Sequence, residues 1–123
     1  MTRLRWLLLP LLALTGCAWL DYPAVGIHRP VITGGQAQVD QGQVVDYDGL
    51  PGIWLAAHRS SHGSTFASLV DAEVGDEVCV YGSCYRVTQI IRWPSRTPPG
   101  YLGPLVLQTS LPTGVLLVVC EPV

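Results

Sequence analysis

Apolar positions along this chain fall in short runs broken by glycine, proline and small polar residues. Gly26–Thr33 ("GIHRPVIT"), Gln43–Tyr47 ("QVVDY") and Gly52–His58 ("GIWLAAH") each carry β-branched or aromatic residues over a strand's length. Ser64–Ala72 has a different period. Phe66, Leu69 and Val70 follow i, i+3, i+4, which predicts one or two helical turns with Ser64 or Thr65 as the cap. Val74–Glu77 reads as a turn. Tyr85–Trp93 is a long strand, and Pro94–Pro104 is a loop rich in proline and glycine. "LVLQT" from Leu105 and "GVLLVVC" from Gly114 are two final strands, separated by Leu111, Pro112 and Thr113. Strands at this spacing with one short helix predict a mainly β fold closed into a barrel.

The first residues break this pattern. Arg3 and Arg5 precede an apolar run, Trp6 to Leu14, that is too short to span a bilayer and fits a secretory signal. "LTGC", Leu14 to Cys17, resembles the bacterial lipobox, in which the cysteine is lipidated and becomes the new N-terminus. Residues 1–16 are therefore expected to be a lipoprotein signal peptide. Residues 17–24 are expected to form a lipidated, mobile tether, and residues 25–123 the barrel domain. Cys17 would carry the lipid, so the protein would be exported and anchored to the cell envelope without spanning a membrane. Ala18 follows the cysteine where an Asp would argue for inner-membrane retention.

Export changes the meaning of the cysteines, because it places the domain in an oxidising compartment. Glu77–Val87 ("EVCVYGSCYRV") reads as a hairpin with Gly82 in the turn. Two registers are open. With Tyr81-Gly82 as the loop, Cys79 faces Cys84 in a non-hydrogen-bonded pair, close enough for a disulfide. With Gly82-Ser83 as the loop, Cys79 faces Arg86 and no bridge forms. The first joins two thiols in an oxidising space. Cys120 is left as a small buried hydrophobe.

The 123 residues suffice for one small domain. The seven basic residues are all arginines, against nine acids. That balance offers no basic face for nucleic acid. The signal segment takes two of the arginines with it, so the exported chain is more acidic still.

Five segments in order resemble the sortases, the bacterial cysteine transpeptidases. "AAHRSSHGSTFASL" is similar to the family's Gly-His-Arg block with its following Phe and Leu. "VGDEVCVY" is similar to the Gly-Asp turn and the strand after it, "CYRVTQI" to the Tyr-x-Val strand, and "LVLQTS" to Thr-Leu-x-Thr-Cys. "VLLVVCEP" is similar to the closing strand, which normally starts with Arg. The match covers nearly all of residues 25–123. It implies a sortase-like closed β-barrel of seven to eight strands with one short helix.

The same resemblance implies a site, and this chain departs from it. Sortases use a Cys nucleophile, a His and an Arg. The His position matches His58, the Cys position matches Ser110, and the Arg position falls at Val115 or Leu116. A thiol can ionise beside an imidazolium, whereas a serine hydroxyl needs a general base during attack. The absent Arg removes a cation for substrate or oxyanion. Arg92 and Arg96 lie just before the last strands as candidate replacements, or as solvated loop charges. "SHGST", Ser61 to Thr65, also resembles the Ser-His-Gly-Cys motif of L,D-transpeptidases, again with Ser for Cys, but it sits centrally where that motif lies late. His28, His58 and His62 have no metal-ligand spacing, and no cofactor is implied.

Three functions are consistent with this reading. One is a catalytically impaired sortase-like lipoprotein that binds a sorting-signal-like peptide or an envelope protein in the former groove. The others are a serine-dependent transpeptidase or acyl hydrolase using Ser110 and His58, and a structural envelope domain.

Overall fold

The computed structural model describes residues 18–59 and 65–123. Its strands are β1 (Trp19–Tyr22), β2 (Ile27–Gly34), β3 (Val44–Tyr47), β4 (Ile53–Ala56), β5 (Glu77–Val80), β6 (Ser83–Trp93), β7 (Leu105–Ser110) and β8 (Val115–Pro122). They close into one barrel in the order β1-β2-β3-β4-β7-β8-β6-β5. The β2–β3 and β4–β7 pairs are parallel, and the others are antiparallel. A short helix, α1 (Gln36–Asp40), makes the crossover from β2 to β3. The mainly β barrel is the architecture the alternating pattern predicts.

Strand period decides which side chains fill the barrel. Leu55 of β4, Leu105 and Leu107 of β7, and Leu116, Val118 and Cys120 of β8 point inward and join Leu20, Tyr22, Phe66 and Leu69 in one core. Their neighbours point outward but are also buried. Trp54, Val106, Val115, Leu117 and Val119 form a second apolar cluster on the outer wall, packed against Leu50, Ile91, Trp93 and Leu102. This second layer explains why "VLLVVC" shows no polar alternation: both of its faces are covered.

The segment read as a tether is a barrel strand. Ala18 to Pro23 does not trail from the domain; β1 closes the barrel by pairing with β2 on one side and β5 on the other. Leu20 and Tyr22 are completely buried. The Tyr22 hydroxyl donates to Asp76 Oδ2 at 2.7 Å, and Asp76 also accepts from the Glu73 amide. Burial and the adjacent carboxylate hold this phenol above its ordinary range. The domain thus starts before residue 25. Residues 1–16 and Cys17 lie outside the described residues.

The helical turn expected over Ser64–Ala72 is a 3-10 turn, Ala67–Asp71. Phe66 and Leu69 enter the core as their spacing requires. Capping differs from expectation. Phe66 stands at the cap without a side-chain bond, because the Thr65 hydroxyl is used elsewhere, donating to the Gly42 carbonyl at 2.8 Å. Ser64 is not among the described residues. The α-helix lies instead at Gln36–Asp40, in a stretch that the pattern of apolar positions left unassigned.

In the β5–β6 hairpin the loop is Tyr81-Gly82, with both residues at positive φ. Cys79 faces Cys84, their Cα atoms are 4.0 Å apart, and the two are joined in a disulfide. The closed loop is so small that the bridge removes little freedom from the unfolded chain, so it serves mainly to hold this register.

Candidate functional site

Register places the two candidate site residues side by side. In the parallel β4–β7 pair, Ile53 faces Leu105 and Ala56 faces Gln108. Two residues further along each strand stand His58 and Ser110. The amide of Ala57 still donates to Gln108 O, and the Thr109 hydroxyl to Ala57 O, so the alignment persists past the ladder's end. On the other side of β7, Ser110 faces Val115. Period 2 then puts His58, Ser110 and Val115 in one row on the outer face of the barrel. Of the two positions expected for the Arg, Leu116 points into the core, and Val115 belongs to the row.

The chemistry of the row is unlike a thiolate–imidazolium–guanidinium set. His58 Nε2 is bonded to Asp40 Oδ1 at 3.0 Å. Asp40 also accepts from Gln36 Nε2 at 2.8 Å. Ser110 Oγ has no hydrogen bond to another described residue, so the imidazole and the hydroxyl are not bonded to each other. Val115 is 2 % exposed and sits in the outer apolar cluster. A cation there would have to leave water, which is costly without a partner.

Guanidinium groups reach this strand end from elsewhere. Arg59 Nε donates to Ser110 O at 2.9 Å, and Arg96 Nη2 donates to Leu111 O at 3.1 Å. Arg96 comes from the 94–104 loop. Arg92, the other candidate, is exposed on β6 opposite Leu116 and makes no bond to β7 among the described residues. At Gln108, two residues before Ser110 on β7, is a cavity of about 130 Å³ lined also by Gln36, Tyr47, Leu50, Arg96 and Pro98.

No family model and no curated protein matches the sequence. Solved structures do. Sortase E1 from Streptomyces coelicolor, with a tripeptide in its active site, superposes with a TM-score of 0.74 at 23% identity, covering 89% of this chain and 88% of that one. Sortase C1 from Streptococcus suis gives a TM-score of 0.75 at 22% identity over 97% of this chain and 79% of its own. Sortase C-1 from Actinomyces oris gives 0.70 at 24% identity over 86% and 72%. This chain has the sortase fold.

The positions that the five segments implied, His58, Ser110 and Val115 or Leu116, lie at the ends of β4 and β7 and the start of β8 in this fold. Asp40 is the partner that reading missed. Its only sequence signal is the Gln36–Asp40 spacing of four, which places both on one face of a helical turn. An acid in a helix's last turn is disfavoured by the helix dipole, and its bonds to Gln36 and His58 help make it tolerable there. Arg59 was visible only as the residue after His58.

The remaining candidates lie apart. His28 stacks on Trp19 with ring centroids 4.5 Å apart and stands 3.6 Å from Asp21. His62 is outside the described residues. Cys120 is fully buried, and that burial pushes its thiol up to about 12, which leaves it protonated and inert. Glu77 lies beside Cys79 and Cys84, but both sulfurs are committed to the disulfide and offer no thiolate.

Proposed function

We propose that this protein is a sortase-fold lipoprotein that binds an extended peptide over the outer faces of β4 and β7 and does not transfer it. The observation that carries the reading is the state of the row: His58 is engaged by Asp40, Ser110 has no bonded base among the described residues, and Val115 is apolar. Nucleophilic attack by a serine needs a base in hydrogen-bond reach and a donor for the oxyanion. A cavity lined in part by Gln108, Tyr47 and Arg96 on the same outer face supports a ligand there. A tripeptide occupies the active site of the Streptomyces coelicolor sortase, which supports a peptide as the ligand class.

One observation favours a second reading. Asp40, His58 and Ser110 are the residue types of a Ser-His-Asp triad, and two of the three are already bonded. In that mechanism the imidazole would have to turn a nitrogen to Ser110.

A single experiment separates the two. Wild-type protein is incubated with labelled sorting-signal-like peptides, and the products are followed by intact mass. We expect binding without an acyl adduct. Ser110→Cys should remain weak, because the cation is still absent. Val115→Arg alone should cost stability by placing a guanidinium in the outer apolar cluster. Acylation of Ser110 in the wild type would replace the binding reading with that of an active serine enzyme.

The envelope location rests on the sequence around Cys17. Cys17→Ala is expected to move the protein from the membrane fraction to the soluble one. Retention on membranes after signal processing would sink the anchor. No helix among the described residues is long and apolar enough to cross a membrane.

A further inference from the structure

The cavity at Gln108 has a chemistry of its own. Its polar wall consists of one guanidinium, two carboxamides and a phenol, and its apolar wall of Leu50 and Pro98. The state of each polar group shows what is left for a ligand. Arg96 makes one bond, to Leu111 O, and among the described residues it meets no carboxylate. Its remaining N–H groups have no hydrogen-bond partner among the described residues. Gln108 Oε1 accepts from the Trp54 indole at 2.7 Å, which fixes the amide's orientation and turns its NH₂ away from that bond. The Tyr47 hydroxyl has no partner among the described residues. Gln36 Nε2 is held by Asp40, so that carboxylate is already engaged by Gln36 and by His58, and it does not line the cavity. The result is a donor-rich pocket with one cation and no lining acid, in a chain of net negative charge.

We propose that this cavity is a subsite for a carboxylate of the bound peptide, with Arg96 as its charged ligand and Gln108 and Tyr47 as neutral donors. A planar guanidinium presents paired N–H groups that match the two oxygens of a carboxylate. A cavity of about 130 Å³ has room for such a group. The carboxylate is either an acidic side chain or the peptide's C-terminus. The inference rests on the peptide-binding reading above and names its specificity. It also gives Arg96 a role distinct from the arginine that Val115 displaces: it recognises the ligand two residues up β7 from Ser110.

Binding is measured by fluorescence anisotropy with the full chain and labelled hexapeptides of Ala and Thr. The peptides carry a central Glu, a central Gln or neither, each with a free or an amidated C-terminus. A carboxylate-bearing peptide is expected to bind at least about tenfold tighter than its neutral counterpart, the scale of one charge-assisted bidentate contact. Whether Glu or the free terminus carries that gain identifies the source. Arg96→Gln should abolish the preference, and Arg96→Lys should keep part of it as a point charge. Gln108→Leu, which leaves Arg96 in place, should weaken acidic and neutral peptides unequally. Equal binding of acidic and neutral peptides, or a preference that survives Arg96→Gln, overturns the subsite and leaves the peptide reading standing. If no peptide binds, both fall.

Discussion

A chain shortened to begin at Gly26 should fail to fold cooperatively, whereas one beginning at Ala18 should melt like the full domain. The expectation comes from β1. A tether can be cut without effect, but a barrel strand cannot. Removing it empties the places of Leu20 and Tyr22, both completely buried. Large-to-small changes at such sites cost about 2–5 kcal/mol each. Together they approach the whole stability of a small domain, roughly 5–15 kcal/mol. The cut also exposes the edges of β2 and β5, which invite association with other chains. Thermal unfolding by circular dichroism and the dispersion of amide resonances measure the outcome. A cooperative transition in the shorter chain, within a few degrees of the longer one, would return residues 18–25 to the status of a linker. Leu20→Ala is the milder form and should cost about 2–5 kcal/mol.

Gly114→Ala should be the most damaging small substitution near the candidate site. Gly114 ends the turn between β7 and β8 with φ +95°, where side chains are strained. A Cβ there would collide with the backbone carbonyl of Trp93 and lie 2.9 Å from backbone atoms of Pro94. Neither can retreat easily, because Trp93 faces Val115 in the β6–β8 ladder. Strain of about 1–3 kcal/mol adds to overpacking of similar size. Gly49→Ala provides the control. It has a comparable φ of +84° but nothing within 4 Å of the new Cβ, so only the left-handed backbone cost of about 1–2 kcal/mol applies. Chemical denaturation of both variants tests the difference. Equal losses would mean that the turn moves freely, and with it Leu111, whose amide is bonded to Gly114 O at 3.0 Å.

The parts of this molecule that were legible in its sequence are those governed by a short period. Alternation and β-branched runs located β2 to β8. The choice of Tyr81-Gly82 as the loop, argued from the two cysteines, is the observed register. Missed features share a different cause. β1 is only four residues long and lies between a cysteine and a proline, so its Leu20-x-Tyr22 alternation was outweighed by its place near the terminus. α1 is a single turn and a half without an apolar stripe, since only Val39 is buried. Asp40 and Arg59 act through bonds to residues distant in sequence, and no local pattern records such bonds. Arg96 was a candidate only from its place before the last strands, not from its bond to Leu111 O. The row of His58, Ser110 and Val115 followed from ordered segment resemblance, because parallel neighbours carry no mark of each other in the chain.

That parallel pairing has a kinetic side. The β4 and β7 strands that bring His58 beside Ser110 meet across a gap of 52 positions, the separation of the Thr109–Ala57 bond. No tight turn can join them, so the intervening chain must first be ordered against an entropy that grows with the logarithm of its length. The β5–β6 and β7–β8 hairpins, by contrast, close locally and within microseconds in isolated peptides. Folding should therefore raise the two hairpins first and register β4 against β7 late. The groove would then be among the last surfaces to take shape, absent from any partly folded chain.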